Sequence, residues 1–176
     1  MSSKIRVNRA PVLTMWAAVV AERLGFDWKE ALSLGRAVAG LNAYSKGVRL
    51  GLFQRTPEAE QERLEAARSG QVLRIELLHR AVPAVQTPDG VRALSKDRPI
   101  DPGGVERYLR GKFGEGFAEA KRAMERLARS KPPDDLTRVA YLLYEKFRPA
   151  IAAGARGWGA QGDLDLAAIA TLADEK

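Results

Sequence analysis

Residues 10–44 read APVLTMWAAVVAERLGFDWKEALSLGRAVAGLNAY, and this stretch decides the fold. Val12, Trp16, Val19, Val20 and Leu24 recur on one broad helical face, and Ala17, Ala18 and Ala21 fill much of the rest. A helix that is apolar on most sides is buried on most sides. Asn8 is a good N-cap ahead of it and Pro11 falls in its first turn. Gly25 ends it. Asp27 and Glu30 then match a capping box, with aspartate in the usual Ser/Thr place. A second helix is therefore expected from Trp28 to about Tyr44, with Gly47 as its stop. Ala31, Leu34, Val38 and Leu41 give it an apolar stripe, and Gly35 and Ala39, small and four apart, permit a close helix crossing. The pattern predicts two packed helices over residues 11–44, joined at Gly25-Phe26-Asp27.

Beyond this hairpin, Thr56-Pro57 starts a polar helix that runs to Arg68 and closes at Gly70. Val72 to Leu78 alternates like a strand. Ala81 to Gln86, the turn Pro88-Asp89-Gly90 and Val91 to Leu94 extend it to a two- or three-stranded antiparallel sheet, with Pro83 suited to an edge. Asp101-Pro102 caps a helix to about Phe113. Gly114 and Gly116 separate it from a helix to Arg129, whose buried stripe is Phe117, Ala120, Met124 and Leu127. After the break at Lys131-Pro132-Pro133, Asp134 is expected to cap a helix ending at Arg148-Pro149. A glycine-rich loop over residues 154–162 leads to a last helix beginning at Asp163 or Asp165. The fold class is α+β and predominantly α-helical, with five to seven helices and one small sheet. Residues 1–176 read as a single domain, with natural subdivisions at 1–56, 57–100 and 101–176.

Composition narrows the chemistry. Apolar residues make up 45% of the chain, enough for a real core. With no cysteine and only His79 as histidine, disulfides, thiolate zinc sites, cysteine nucleophiles and His-rich metal sites are all excluded. No catalytic or metal-binding set emerges, and no cofactor is expected, neither zinc, iron nor nicotinamide. His79 lacks an acidic neighbour in sequence and reads as a turn or surface residue. At the N-terminus, Lys4, Arg6 and Arg9 precede the apolar run Val12 to Ala21, which superficially resembles a signal peptide. Thr14 and Trp16 interrupt that run, it leads straight into a helix continuing to Leu24, and it is shorter than the about 20 apolar residues a membrane span needs. The reading is a cytoplasmic protein with no membrane partner.

The net charge of +7 is concentrated in the first third, where residues 1–56 hold nine Lys/Arg against three Asp/Glu. Such an excess attracts nucleic acid or an acidic surface. Residues 17–36 also fit a helix-turn-helix, with Val20, Ala21, Leu24, Gly25, Phe26, Ala31 and Leu34 at its buried positions. On that reading Trp28, Lys29, Leu32, Ser33 and Arg36 face a groove, and Lys46 and Arg49 contact flanking phosphates. A β-hairpin over 72–94 would serve as a wing, placing Arg74, Arg80 and Arg92 near the backbone. The ordinary alternative is an antiparallel helical hairpin, which needs the same glycine and the same apolar positions. Gly157, Gly159 and Gly162 spell G-x-G-x-x-G, but the segment before them is a helix end and Asp163 would repel a phosphate, so a packed or tight loop fits better than a dinucleotide fingerprint. Arg122, Arg126 and Arg129, with Glu119 and Glu125, read as a solvated, salt-bridged face.

Residues 10–47, from Ala-Pro-Val-Leu-Thr-Met-Trp to Gly-Leu-Asn-Ala-Tyr-Ser-Lys-Gly, resemble a group of bacterial proteins without an assigned activity. So does the tail, in Phe147-Arg148-Pro149, Gly157-Trp158-Gly159-Ala160 and Asp163-Leu164-Asp165-Leu166. The resemblance covers most of the chain, implies a bacterial source and supplies no site. The leading functional expectation is a DNA-associated, regulator-like binding protein whose candidate contacts are Lys29, Ser33, Arg36, Lys46 and Arg49. The alternative is a non-enzymatic protein-interaction module, with a homodimer as one form of it.

Overall fold

One helix organises the rest. In the computed structural model, which describes residues 4–49, 72–95, 98–150 and 161–175 and, for 43–49, the backbone alone, every residue from Pro11 to Ala21 of helix α1 (Arg9–Arg23) is buried. Its neighbours are α2 (Trp28–Arg49), α3 (Pro102–Phe113), α4 (Phe117–Arg129) and α5 (Pro133–Phe147). The Trp16 indole N–H donates to the Ala140 carbonyl at 2.9 Å, and its ring meets Phe147 edge-on at 5.3 Å between centroids. The expected stripe of α4 is buried as read, at Phe117, Ala120, Met124 and Leu127.

The α1–α2 joint forms as the sequence predicts. Glu30 N–H donates to Asp27 Oδ1 at 2.8 Å and Asp27 N–H donates to Glu30 Oε1 at 3.0 Å, a reciprocal capping box. Gly25 turns the chain at φ +118°. The crossing is close enough to require Gly35, since a Cβ there would lie 2.4 Å from the Thr14 carbonyl oxygen. The second helix runs past Gly47 to Arg49, so that glycine does not stop it.

Two small antiparallel sheets complete an α+β, mainly helical fold. The larger has four strands rather than two or three, in the order β2 (Leu73–Leu77), β3 (Arg80–Thr87), β4 (Gly90–Ser95) and β5 (Arg98–Pro99). The extra strand is a two-residue return pairing Leu94 with Pro99, too short to leave a pattern. Leu78 and His79 form the β2–β3 turn at φ 50° and 62°, so the lone histidine is indeed an exposed turn residue. Pro83 sits on an inner strand, but beyond the last β3–β4 pair, Ala84 with Ala93, where its missing N–H goes unneeded.

The second sheet was not foreseen. It pairs β1 (Lys4–Asn8) with β6 (Gln161–Asp165), Val7 opposite Gly162. Asp163 therefore belongs to a strand, where it pairs with Arg6 at 3.5 Å, and Asp165 caps the last helix, α6 (Leu166–Asp174), by accepting the Ala167 N–H at 3.0 Å. Asp101 caps α3 as expected, accepting from Gly103 N at 3.1 Å. Asp134 does not cap α5: Pro132 takes the N-cap position, Pro133 opens the helix, and Asp134 and Asp135 sit in its first turn, favourably placed for the helix dipole. The buried residues of the hairpin, sheets and later helices form one continuous cluster, so the three sequence subdivisions share a core. Among the described residues, no helix is long and apolar enough to cross a membrane. The polar helix expected from Thr56-Pro57 to Arg68 and the glycines Gly157 and Gly159 lie outside the described residues.

Candidate nucleic-acid interface

The five residues expected to contact DNA do not form one set. Lys29 and Arg36 are exposed on α2, seven residues apart on one face. Ser33, between them in sequence, is 0% exposed. Its hydroxyl donates to the Glu30 carbonyl at 2.9 Å and accepts the Ala93 N–H at 3.1 Å, so it ties α2 to β4 and faces no groove. The expectation for Ser33 is corrected: the sheet lies on the side of α2 that a groove would need. Leu32 is buried as well. Lys46 and Arg49 are on the last turns of α2, at positions that share a face with Asn42, and their side chains lie outside the described residues.

The wing is corrected in the same way. Arg92 is buried and folds back on its own hairpin, donating from Nη1 to Val91 O at 2.9 Å and from Nη2 to Asp89 O at 3.2 Å. Arg80 donates from Nη2 to Asn42 Oδ1 at 2.9 Å. Arg74 is exposed. Hairpin β3–β4 is fastened to α2, since Glu30 Oε2 also accepts the Val91 N–H at 2.8 Å.

What the fold does assemble is a basic and aromatic face across α2, α3 and α4. The Arg36 guanidinium stands 5.9 Å from the Tyr108 ring centroid, Lys121 Nζ 4.0 Å from that of Trp28, and the Arg110 guanidinium 4.5 Å from that of Phe117. Each separation is within the range of a cation–π contact. Trp28 is half-buried and donates from Nε1 to Glu106 Oε1 at 3.3 Å, while Arg110 approaches the same carboxylate at 3.8 Å. Burial raises the Tyr108 pKa, and Arg36 pulls it back down. Sequence reading missed Lys121, Tyr108 and Arg110 as members of this face. Lys121 and Trp28 lie far apart in the chain, and no local spacing announces their contact.

A second polar cluster lies where the start of α1 meets the end of α5. Arg9 Nε donates to the Pro149 carbonyl at 2.8 Å, and Tyr144 Oη donates to the Arg9 carbonyl at 3.4 Å. Tyr141 Oη donates to Asn42 Oδ1 at 3.2 Å. Burial pushes the Tyr144 pKa up to about 12, against the pull of Arg148 and Arg9. Burial also lowers the Arg9 pKa, and Arg148 lowers it further. The spacing Tyr141, Tyr144, Arg148 at i, i+3 and i+7 was legible as one helix face; the arrival of Arg9 was not.

Elsewhere, a cleft of about 270 Å³ lies between α1 and α4, lined by Val19, Glu22, Arg23, Glu125, Ala128 and Arg129. Arg23 Nη2 donates to the Lys131 carbonyl at 3.2 Å, and its buried Nε–H has no acceptor among the described residues. These walls mix the carboxylates of Glu22 and Glu125 with the guanidiniums of Arg23 and Arg129. Gly162, the last glycine of G-x-G-x-x-G, is in strand β6, and a Cβ there would lie 2.1 Å from the Ala150 carbonyl oxygen. It is needed for close backbone packing, which accounts for this glycine without a phosphate. Comparison with family models, curated proteins and solved structures finds no match.

Proposed function

We propose that this chain is a DNA-associated binding protein that holds duplex DNA by its phosphates, through Lys29 and Arg36 of α2 together with Lys121 of α4. The observation that supports this reading is the outward strip of α2, which carries two cations and adjoins aromatic rings that hold further cations at the surface. Phosphate contacts position a protein on DNA and carry no base information. A helix enclosed by α1, α3 and β4 has no free flank for base edges, so α2 acts as a phosphate-facing edge and not as a recognition helix. Lys46 and Arg49 fall on the Asn42 face of the same helix, away from Lys29 and Arg36, and are not part of this edge.

Duplex binding measured across a salt series tests this. The log–log slope should be roughly −0.9 per neutralised phosphate. The double substitution Lys29→Ala with Arg36→Ala should weaken binding to every duplex alike and make the slope shallower by roughly 1.8. Failure of the wild-type protein to bind duplex DNA at low salt sinks the proposal, as does a double variant with unchanged affinity and slope. The alternative, an interaction module or homodimer, draws on exposed Leu142 of α5 and Leu73 of β2. These lie on separate elements, and single exposed leucines are ordinary surface.

A further inference from the structure

The junction of α1 and α5 holds two guanidiniums whose charge no carboxylate among the described residues compensates. Arg148 follows the last residue of α5, and its N–H donates to the Tyr144 carbonyl at 2.7 Å. The proline after it keeps Arg148 out of the helix, at φ −56° and ψ 150°. Its guanidinium stands 5.9 Å from the Tyr144 ring centroid. Arg9, at the first position of α1, donates its Nε–H to the Pro149 carbonyl, its one side-chain hydrogen bond among the described residues. Both arginines are half-buried, and neither has a carboxylate partner among the described residues. The carboxylate whose charge reaches Tyr144 is that of Glu145, which is exposed.

Two like charges near one another repel, and burial together with Arg148 lowers the Arg9 pKa. Proteins ordinarily place a carboxylate at such a point. Here the Arg148 guanidinium stands over the Tyr144 ring, and the Tyr144 hydroxyl donates to the Arg9 carbonyl. The Tyr144 hydroxyl keeps its proton through the neutral range because burial holds its pKa far above 7. Among the described residues nothing accepts from the Nη groups of Arg9 or from the fork of Arg148, planar donors whose geometry suits a multi-oxygen anion.

We propose that Arg9 and Arg148 form a binding site for a phosphate-type oxyanion, either inorganic phosphate or a phosphate monoester. The anion supplies the missing countercharge, accepting from the Nη groups of Arg9 and from the guanidinium of Arg148. The site is separate from the basic face of α2 and does not depend on DNA binding there.

Calorimetric titration with inorganic phosphate, with thermal unfolding in phosphate, acetate and chloride at matched ionic strength, tests the proposal. Phosphate should bind saturably and raise Tm, and chloride should not. Arg148→Gln should weaken phosphate binding at least about tenfold. Arg148→Lys, which keeps the charge and loses the fork, should fall in between. Circular dichroism of both variants establishes that they fold, and among the described residues Arg148 makes no side-chain hydrogen bond whose loss would unfold them. The Lys29→Ala, Arg36→Ala protein should retain the full phosphate response, which separates this site from the DNA face. A phenyl phosphate arm distinguishes a monoester from the free ion, and tighter binding of either one is the expected result. The proposal is overturned if wild-type protein shows no saturable response to phosphate, if Arg148→Gln responds like wild type, if acetate binds as tightly as phosphate, or if the Lys29/Arg36 variant loses the response.

Discussion

Helices α1 and α2 are the two arms of one hairpin and draw on the same vocabulary of small and aliphatic residues, yet they end in different positions. From Pro11 to Ala21, α1 has no exposed residue, and its charges, Arg9, Glu22 and Arg23, stand at its ends. In α2 the burial is broken at Lys29, Arg36 and Gly40, which share one face. Both helices hold a wall of the core, and only α2 keeps an edge that an outside molecule can reach. The contrast teaches that a helix-turn-helix pattern is a statement about the buried sides of two helices. Whether the second helix is free on its remaining side depends on what else the chain packs there, and here β4 takes that side.

The largest effects should come from α1. Trp16→Ala removes a fully buried ring together with the indole bond to Ala140, and the loss should be about 3–5 kcal/mol by chemical denaturation. A loss under about 1 kcal/mol would mean that α1 is not the centre of the core. Next is the contact between the two helices. Gly35→Ala drives a methyl into the backbone of α1 at Thr14, and overpacking of this kind should cost about 2–3 kcal/mol. A neutral Gly35→Ala would show that the crossing can open, and the two arms would then be less firmly joined than described.

Smaller effects sharpen the reading of α2. Ser33→Ala leaves the Ala93 N–H without its acceptor, and the cost of an orphaned buried donor is about 1–3 kcal/mol. The same substitution should leave DNA binding intact in the folded protein. Weaker binding at unchanged stability would restore Ser33 to an outward role. The smallest effect belongs to Lys29→Ala and Arg36→Ala. As exposed surface changes they should each alter stability by no more than about 0.5 kcal/mol. A larger loss for Arg36 would assign it to holding Tyr108, and the outward strip of α2 would shrink to Lys29.

Much of the chain was legible because its signals are local. The capping box of Asp27 and Glu30, the caps at Asp101 and Asp165, the glycine at the crossing and the buried stripe of α4 each depend on residues within a turn or two of one another. The terminal sheet was not legible. Strand β1 has only Ile5 and Val7 to show an alternation, β6 only Gly162 and Leu164, and both strands carry charges. Each is too short and too polar to declare itself, and the pairing joins opposite ends of the chain. The basic face was half legible: Lys29 and Arg36 could be placed on one side of α2, whereas Lys121 and Arg110 reach it only through packing.

By itself the sequence determined the helical hairpin, the caps, the α+β class and the excess of positive charge in the first third. These follow from hydrophobic periodicity, backbone preference and composition, which act over a few residues or are simple sums. Tertiary structure alone decided which side of α2 stays open, why Ser33 turns inward, and how Arg9 comes to stand beside Tyr144 and Arg148. Those outcomes depend on contacts between residues far apart in the chain. Their energies come from burial and from hydrogen bonds such as that of Ser33 to Ala93, for which no local pattern carries a mark.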